Sequence, residues 1–391
     1  MAKAKHISVV IIGGGPVGLF LAICLIKKGI DCRVLEKRKE PVPDSRSLGI
    51  HPVSLELFDK VGISESFLKQ GMKIRKGIAL TENKKLGEIT FEHCPKPHNY
   101  VLMCPQFTTE KNLRDELQKL DKNALITEAE FKSFSENEKV IETVFSTREN
   151  QHQQITSNYL IGCDGKNSLV RQLASIHFSG KRYDDTYIMG DFEDTTDFGP
   201  DAAVFLPKDG LIESFPLPNG MRRWVVKTDT YITYPDEEIL AKLVQQRIRY
   251  NLFGVKSTML SGFGVQHFMA ETFAKGRILL AGDAAHVVSP IGGQGMNLGW
   301  MDCRELTEVF SMLMERKGVL KYDPSALKSY SDRQQKIARK VARRAEINMA
   351  LGRKTNLRFL RNIFLKGMLN TPIQKKVAEI FTMRGLGNWW I

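Results

Sequence analysis

Three widely separated segments of the chain carry glycines, with an acidic residue inside the segment or at the end of the next predicted strand, in patterns that bind phosphates and sugar hydroxyls. They are residues 13–18, 163–171 and 277–299. Glycine lets a backbone approach a phosphate closely, and the free N–H groups at the start of a helix attract an anion. A carboxylate at the end of a strand can accept hydrogen bonds from a sugar. Their order along the chain predicts one dinucleotide-binding unit.

The first segment has the spacing Gly-x-Gly-x-x-Gly. We expect Gly13 to permit a sharp turn, Gly15 to let backbone amides approach a diphosphate, and Gly18 to allow close packing of helix on strand. Glu36, at the end of the next predicted strand, suits an adenosine ribose. The predicted binding residues of this segment are Gly13, Gly15, Pro16, Val17, Gly18, Glu36 and Lys37.

The third segment is the most specific of the three. A buried strand is predicted to deliver Asp283 at its carboxyl end, where the carboxylate can accept hydrogen bonds from sugar or ribityl hydroxyls. A glycine-rich turn follows and presents backbone N–H groups at the start of a helix over 297–306, where they would stabilise negative charge. The predicted binding residues of the turn are Pro290, Gly292, Gly293, Gln294, Gly295, Met296 and Asn297.

These side chains require a strand–turn–helix framework. Apolar patterning predicts a strand over 7–12, a helix over 19–26 and a second strand over 31–35. An Asn-Gly turn at 219–220 between two apolar segments predicts a β-hairpin, in which Phe215 or Trp224 would line an apolar pocket or belong to the core. We therefore expect an α/β fold.

Composition sets broad limits. The chain has 391 residues, of which 42% are hydrophobic and 26% charged, as in ordinary globular proteins. Residues 9–26 carry no charge, as in a signal peptide or spanning helix, but the glycines and proline within them argue against both. Six cysteines without a C-x-x-C pair predict neither a metal site nor disulfides. We expect a cytoplasmic protein.

Positive charge is concentrated at the C-terminal end. Residues 333–391 hold 14 Lys or Arg and two Glu, a net charge of +12 out of +13 for the chain. An apolar stripe at helical spacing, Leu357, Leu360, Phe364 and Met368, ends before Pro372. This basic amphipathic pattern predicts either contact with an anionic membrane or packing of the stripe on the rest of the protein. Nucleic acid is not an expected partner, because no base-reading motif accompanies the charge.

Together the three segments resemble the FAD-dependent aromatic hydroxylases of the p-hydroxybenzoate hydroxylase type, which are flavoprotein monooxygenases. The resemblance spans residues 6 to about 310. It implies that Asp164 and Gly165 form the Asp-Gly motif linked to FAD and NAD(P)H, and that Asp283 holds the ribityl chain. Two further stretches resemble the branch of phenol and hydroxyphenylpropionate hydroxylases, and they imply that Arg46 lies near the flavin and Gln106 contacts FAD.

The resemblance implies a Rossmann-type FAD-binding domain with an inserted β-sheet substrate domain and a C-terminal helical region. The expected boundaries are 1–74, 101–180 and 267–332 for the FAD domain, 75–100 and 181–266 for the substrate domain, and 333–391 for the basic helical region. The cofactors would be FAD with NADPH or NADH as electron donor.

The implied activity is hydroxylation or epoxidation of an aromatic or lipophilic substrate with O2, through a flavin C4a-hydroperoxide. Two alternatives stay open at this point. One is a flavin-dependent dehydrogenase or reductase acting on a quinone or polyprenyl compound, and the other is a non-catalytic flavin-binding protein. Residue types alone identify no catalytic acid or base.

Overall fold

The structure is a computed structural model that describes residues 6–43, 47–82, 84–149, 152–315 and 320–386. Its strands in chain order are β1 (His6–Ile12), β2 (Cys32–Glu36), β3 (Gly49–Ile50), β4 (Met72–Ile74), β5 (Lys76–Leu80), β6 (Lys85–Thr90), β7 (Val101–Met103), β8 (Leu125–Thr127), β9 (Glu130–Glu136), β10 (Ile141–Ser146), β11 (Gln153–Gly162), β12 (Phe178–Glu193), β13 (Ala202–Phe205), β14 (Ile212–Leu217), β15 (Met221–Thr228), β16 (Ser257–Ala270), β17 (Ala274–Lys275), β18 (Ile278–Leu280) and β19 (His286–Val287).

The α-helices are α1 (Pro16–Lys27), α2 (Pro52–Lys60), α3 (Ser64–Gln70), α4 (Gln106–Leu120), α5 (Leu169–Leu173), α6 (Glu237–Ile248), α7 (Gly295–Leu313), α8 (Pro324–Gly352), α9 (Arg358–Leu369) and α10 (Ile373–Phe381).

The first sheet is the nucleotide-binding framework. Its strands β18, β11, β1, β2 and β8 are neighbours in that order and pair in parallel. Residues 9–11 in the centre of β1 are fully buried, as expected for a parallel strand covered on both faces. Helix α1 packs against α4 and α7. The carboxyl ends of β1, β2, β11 and β18 share one edge, and each of the predicted motif segments follows one of those ends.

The second sheet has eight strands in the order β19-β16-β12-β15-β14-β13-β5-β6. The hairpin of β14 and β15 turns at 218–220, where Asn219 and Gly220 have φ angles of 65° and 70°, as an Asn-Gly turn requires. The outer face of this sheet carries Trp224 and Ile212 and packs with Leu240 of α6. The inner face of the sheet carries Met189 and Val225.

A short pairing joins the two sheets at the site. Strand β19, which follows Asp283, pairs with β16 through Phe268–Val287 and Met269–His286. Ile291, just after β19, packs in the apolar cluster of the inner face. The third motif segment therefore lies between the two sheets.

The C-terminal helices pack on the second sheet in an arrangement that differs from the predicted one. Leu365 and Leu369 of α9 are buried against the inner-face cluster. The expected stripe is not buried there: Leu357, Leu360 and Phe364 are exposed, because the helix turns the face with Leu365 toward the sheet. Within the described residues, no helix is both long and apolar enough to cross a membrane.

Candidate cofactor and substrate site

The first glycine turn has the geometry of a diphosphate cradle. Gly13 has φ +106°, and a Cβ there would lie 2.4 Å from the carbonyl oxygen of Cys163. A Cβ on Gly18 would lie 2.0 Å from the Gly13 carbonyl oxygen, so only glycine permits this approach of α1 to β1. A Cβ on Gly15 would meet no protein atom within 4 Å. The space beside Gly15, at the start of α1, is therefore open to a ligand.

Glu36 holds the turn from the end of β2. Its Oε2 accepts a 2.7 Å hydrogen bond from the Gly14 N–H, and its Oε1 accepts bonds from the backbone and side chain of Arg38. Glu36 is 4% exposed, whereas the neighbouring Lys37 is exposed. A carboxylate has further lone pairs beyond these bonds, so a ribose hydroxyl can still be accepted.

The start of α4 brings a polar cluster to the same edge. The Gln106 side chain donates to Glu110 Oε1 at 2.8 Å, and the Gln106 N–H donates to the Ser47 carbonyl. Arg114 donates to the carbonyl of Lys39, while its Nε is buried without a hydrogen-bond partner among the described residues. Arg46, predicted to lie near the flavin, is outside the described residues.

Asp164 and Arg171 order the second motif segment. Asp164 Oδ2 accepts N–H bonds from Leu169 at 2.7 Å and Val170 at 3.2 Å, so it caps α5. Its Oδ1 is buried and has no partner among the described residues. Gly165 has φ +81° and open space beside it. Arg171 is buried and donates at 2.8 Å to the carbonyl of Ala284, which ties this segment to the third.

The first and third segments meet around Val17. The Cγ2 atom of Val17 would be 3.0 Å from a Cβ on Gly282 and 2.5 Å from one on Gly299. The indole of Trp300 donates at 3.0 Å to the Pro16 carbonyl. Glycine at both positions therefore lets α7 and the loop after β18 pack directly against the first turn. The structure thus brings together residues from segments that lie far apart in the chain.

Asp283 follows β18 at the sheet edge where the first glycine turn also lies, and we call the space along this edge the cleft. Its side chain is exposed to solvent, yet surrounding protein desolvates the carboxyl strongly enough to raise its pKa, against the lowering effect of His286 and Lys166. Both observations hold for a group that solvent reaches only from one side. A carboxylate in that position can accept hydrogen bonds from hydroxyls of a bound ligand.

The glycine-rich turn is fixed by Asn297 and His51. Gly292 and Gly293 have φ angles of +93° and +66°. Asn297 accepts bonds from the His51 N–H and the Ser54 hydroxyl, both at 2.8 Å, and donates to the Gly49 and Gly293 carbonyls. Its side-chain amide is fully used within the protein. Asn297 therefore positions the turn, and the backbone N–H groups at the start of α7 remain for a ligand.

His51 was not predicted from the sequence, although a His-Pro pair at a helix start is a usable signal. Its Nε2 lies 3.1 Å from the Gly292 carbonyl oxygen. Its Nδ1 is buried without a partner among the described residues, and burial lowers the pKa of the imidazole to about 4. His51 is therefore neutral at physiological pH and lies next to the turn.

These features fit FAD. The open space beside Gly15 and Gly165 admits a diphosphate and its neighbours, and Arg38 lies next to the first turn through its bond to Glu36. Buried polar atoms without partners among the described residues belong to the second and third segments and to α4: Asp164 Oδ1, Gln294 Oε1 and Arg114 Nε. Unpaired buried polar atoms are costly unless a ligand or water satisfies them.

The inner face of the second sheet is largely apolar and reaches the third motif segment through Ile291. Phe215 is half-buried on this face, and it is one of the two aromatic residues considered for the pocket. Trp224 is on the opposite face, stacked with Tyr250, so it belongs to the core. Glu213 also lies on the inner face. It was not among the predicted site residues, although a single acidic residue within the otherwise apolar stretch 211–217 is a pattern that indicates a functional carboxylate.

A family model matches most of this chain. The model described as "FAD binding domain" covers residues 6–345. The chain is 35% identical over 305 residues to an uncharacterized aromatic compound monooxygenase of Bacillus subtilis strain 168, covering 76% of this chain and 60% of the relative. It is 32% identical to a rifampicin monooxygenase of Streptomyces venezuelae, covering 76% of this chain and 62% of the relative. The chain thus spans about three fifths of the length of these relatives.

Solved structures have the same fold. The p-nitrophenol 4-monooxygenase of Pseudomonas putida DLL-E4 superposes with a TM-score of 0.88, covering 99% of this chain and 100% of that chain, at 20% identity. The anhydrotetracycline hydroxylase of Streptomyces rimosus has a TM-score of 0.78 at 28% identity, covering 97% of this chain and 76% of that chain. The predicted fold class is confirmed.

Proposed function

The chain belongs to the FAD-binding-domain family of flavoproteins, as its motifs predict, and on this premise we propose that it is an FAD-dependent monooxygenase. It takes electrons from NADH or NADPH and inserts one atom of O2 into an aromatic or lipophilic organic compound. The observation that carries this proposal is that the segment with Asp283 and the glycine-rich turn joins the apolar inner face of the second sheet, through the pairing of β19 with β16 and the packing of Ile291 in the inner-face cluster. The names of the two relatives, an aromatic compound monooxygenase and a rifampicin monooxygenase, support the same class of reaction.

In this proposal the residues of the chain bind the cofactor and orient it. FAD, when bound, supplies the redox chemistry and the activation of oxygen. Gly15 and the start of α1 hold the diphosphate, Glu36 accepts the ribose hydroxyls and Asp283 the ribityl hydroxyls. The first N–H groups of α7 lie where they can stabilise negative charge on a ring edge. The proposed cofactor-contacting residues are Gly13, Gly15, Pro16, Val17, Gly18, Glu36, Lys37, Arg46, Gln106, Asp164, Gly165, Asp283, Pro290 and residues 292–297.

The second sheet supplies the wall that excludes water from the reacting atoms. Met189, Val225 and Phe215 make its inner face apolar. A low-dielectric wall protects reactive oxygen chemistry from stray protons. We accordingly propose the division into an FAD domain, an inserted substrate domain and a basic helical region at the boundaries that the sequence predicts.

Isotopic oxygen tests the reaction class. The FAD-loaded protein is first mixed anaerobically with NADH or NADPH, with and without candidate phenols, and loss of the oxidised-flavin band is followed. Productive mixtures are then exposed to labelled O2, and the product is analysed by mass spectrometry. One labelled oxygen atom in the product is the expected result.

Other results favour the alternatives. Reduction by substrate alone, or product without label, identifies a dehydrogenase or reductase. Absence of bleaching with either nucleotide and of turnover with any substrate identifies a flavin-binding protein without this activity.

We also propose that the basic region touches an anionic membrane surface. Phe359, Leu360 and Phe364 of α9 expose between 55% and 73% of their surface. Arg358 and Lys366 of the same helix are exposed beside them, in a region of net charge +12. Apolar side chains next to positive charge match the interface of a membrane that contains anionic lipids. A lipophilic substrate would then be taken from the membrane.

A further inference from the structure

The inner face of the second sheet carries a carboxylate in the middle of apolar neighbours. Glu213 of β14 pairs with Val204 of β13 and Val225 of β15, and Val225 pairs with Met189 of β12. Side chains in such a row point to the same face of a sheet. Val225 and Met189 belong to the same buried cluster as Ile291, the residue next to the glycine-rich turn. Glu213 therefore lies on the wall that faces the proposed substrate space.

The Glu213 side chain is partly exposed to solvent and partly enclosed by protein. It is half-buried, yet the protein around it desolvates the carboxyl enough to raise its pKa to about 7. A partly exposed carboxyl on an otherwise apolar face is open to a ligand that lies against that face. An apolar cavity with a single polar anchor is the usual form of a small-molecule site.

No cation balances this carboxylate within the described residues. The cations of β15 on the same face already have carboxylate partners: Arg223 binds Asp191, with Nε to Oδ1 at 2.5 Å, and Lys227 binds Asp185 at 3.3 Å. The described hydrogen bonds and ion pairs include none that involves the Glu213 side chain, and burial is the single cause of its altered pKa. Its hydrogen-bonding capacity is thus available to a ligand.

Tyr187 is a second, independent polar group on the same wall. Its side chain is 1% exposed, and its hydroxyl has no hydrogen-bond partner among the described residues. The ring is stacked on Phe263 with centroids 5.3 Å apart, which fixes its orientation. Burial raises the pKa of the hydroxyl, and the negative charges of Glu213 and Asp185 add to that rise.

We propose that Glu213 is the proton acceptor for the hydroxyl group of a phenolic substrate, and that the Tyr187 hydroxyl donates a hydrogen bond within the same cluster. The proposal rests on the proposed function only in taking an aromatic hydroxyl compound as the ligand. In the transfer, the phenol O–H bond breaks and an Oε–H bond forms on Glu213, while the electron pair stays on the phenolate oxygen. The charge of the pair is −1 before and after the step. A phenolate ring is more electron-rich and is therefore a better target for oxygen insertion.

The proposal predicts a specific dependence of binding on pH. A neutral phenol binds more tightly when Glu213 is ionised, because a hydrogen bond to a carboxylate is stronger than one to a neutral acid. The affinity should therefore rise as pH rises through about 7. A gain of about tenfold corresponds to the difference between a charge-assisted and a neutral hydrogen bond.

The experiment measures binding of 4-methylphenol and of its methyl ether to the oxidised, FAD-loaded protein between pH 5.5 and 8.5, by calorimetry or flavin difference spectra. The wild-type protein is expected to bind the phenol about tenfold more tightly at high pH, and to bind the ether without this change, because the ether has no proton to donate. Glu213→Gln should bind both ligands independently of pH. Glu193→Gln, the same change at an exposed position of the same sheet, should behave like the wild type.

Three results would overturn the proposal: phenol affinity that does not change with pH, phenol and ether that change alike, or a pH dependence that survives in Glu213→Gln. Absence of any measurable phenol binding would overturn it as well. The comparison of the two ligands on the wild-type protein needs no variant, so it decides the question even if Glu213→Gln does not fold. Neither reductant nor turnover is involved, so a pH-dependent phenol site in a protein that fails to incorporate labelled oxygen would refute the proposed function alone.

Discussion

The imidazole Nε2 of His286 lies 2.6 Å from the carboxylate Oδ2 of Asp302, and both side chains are sealed from solvent. The same Oδ2 accepts a 2.9 Å hydrogen bond from the N–H of Gly282, the residue before Asp283. Burial opposes a charged imidazole, but the Asp302 carboxylate outweighs it and raises the pKa of His286. The pair therefore fixes the backbone that presents Asp283 to the cleft, without reaching the cleft itself.

We predict that His286→Ala lowers the free energy of unfolding by about 3–5 kcal/mol, because it leaves the Asp302 carboxylate buried without its partner. The raised pKa means that the charged pair stabilises the protein fully below pH 6.5 and that this stabilisation is lost as pH rises through the folded-state value. The loss in the variant should accordingly be largest at low pH. Urea unfolding of the apoprotein at several pH values measures it.

The double variant His286→Ala with Asp302→Ala is the control for this pair. It should be less destabilised than the sum of the single changes, since no lone charge remains buried. A single His286→Ala cost below about 1 kcal/mol would contradict the interpretation of an ion pair.

A second prediction separates two glycines of the first turn. Gly15→Ala should leave the stability of the apoprotein nearly unchanged, because no protein atom lies within 4 Å of the added Cβ. It should weaken FAD binding by at least about tenfold, since the methyl group enters the space proposed for the diphosphate. Gly18→Ala should instead prevent normal folding, because its Cβ would lie 2.0 Å from a carbonyl oxygen.

Gly367→Ala is the matched control for Gly15→Ala. Gly367 lies at an exposed position of helix α9 and also has no atom within 4 Å of an added Cβ. FAD affinity should equal that of the wild type. Fluorescence titration of apoprotein with FAD gives the affinities, and equal values for Gly15→Ala and Gly367→Ala would argue that the diphosphate does not lie beside Gly15.

Local spacing explains why the glycine turns and the strand ends beside them could be predicted. The conformational demands at Gly13 and the strand ends at Glu36 and Asp283 are properties of a few consecutive residues, and each gives a pattern in the sequence. The strand–turn–helix unit was expected for the same reason, and the observed α1 differs from the predicted helix by a few residues at its start.

Groups defined by contacts between distant segments could not be predicted in this way. Asp302 has its role only because α7 places it beneath β19, and the sequence does not show which buried residue will accept the Gly282 N–H. The two faces of the hairpin could be separated by alternation, but which face meets the cofactor depends on sheet packing. For that reason the sequence alone could not show whether Phe215 or Trp224 lines the pocket.

A third prediction concerns stability and Glu213. Burial raises the pKa of its carboxyl from 4.5 to about 7, so the folded protein binds this proton more tightly than the unfolded chain does. Stability contributed by the protonated form is therefore present below pH 4.5 and is lost as pH rises toward 7. Glu213→Gln should abolish this loss of stability with rising pH. Relative to the wild type, the variant should gain about 1–3 kcal/mol between pH 5 and pH 8, a range that allows for partial solvent screening.

Urea unfolding of the apoprotein at pH 5 and pH 8 measures that gain, with Glu193→Gln as the exposed counterpart on the same sheet. Equal stability differences at both pH values for Glu213→Gln would show that the carboxyl ionises as it does in the unfolded chain.

The last prediction tests the proposed membrane surface on α9. The paired changes Phe359→Ser and Phe364→Ser should reduce co-sedimentation with vesicles containing anionic lipid by about tenfold or more, because each buried aromatic side chain contributes about 1.5–3 kcal/mol. Tyr234→Ser is the matched control, since Tyr234 is an 88% exposed aromatic side chain outside the basic region. It should bind vesicles like the wild type. Binding should also fall with added salt and be weak with neutral lipid vesicles, because electrostatic attraction contributes to it.

The main alternative to membrane contact is a dimer formed through the same apolar face, and light scattering without lipid tests for it. If the phenylalanine changes dissociate a dimer and leave vesicle binding unchanged, the apolar face binds a second copy of the chain and the membrane contact is refuted.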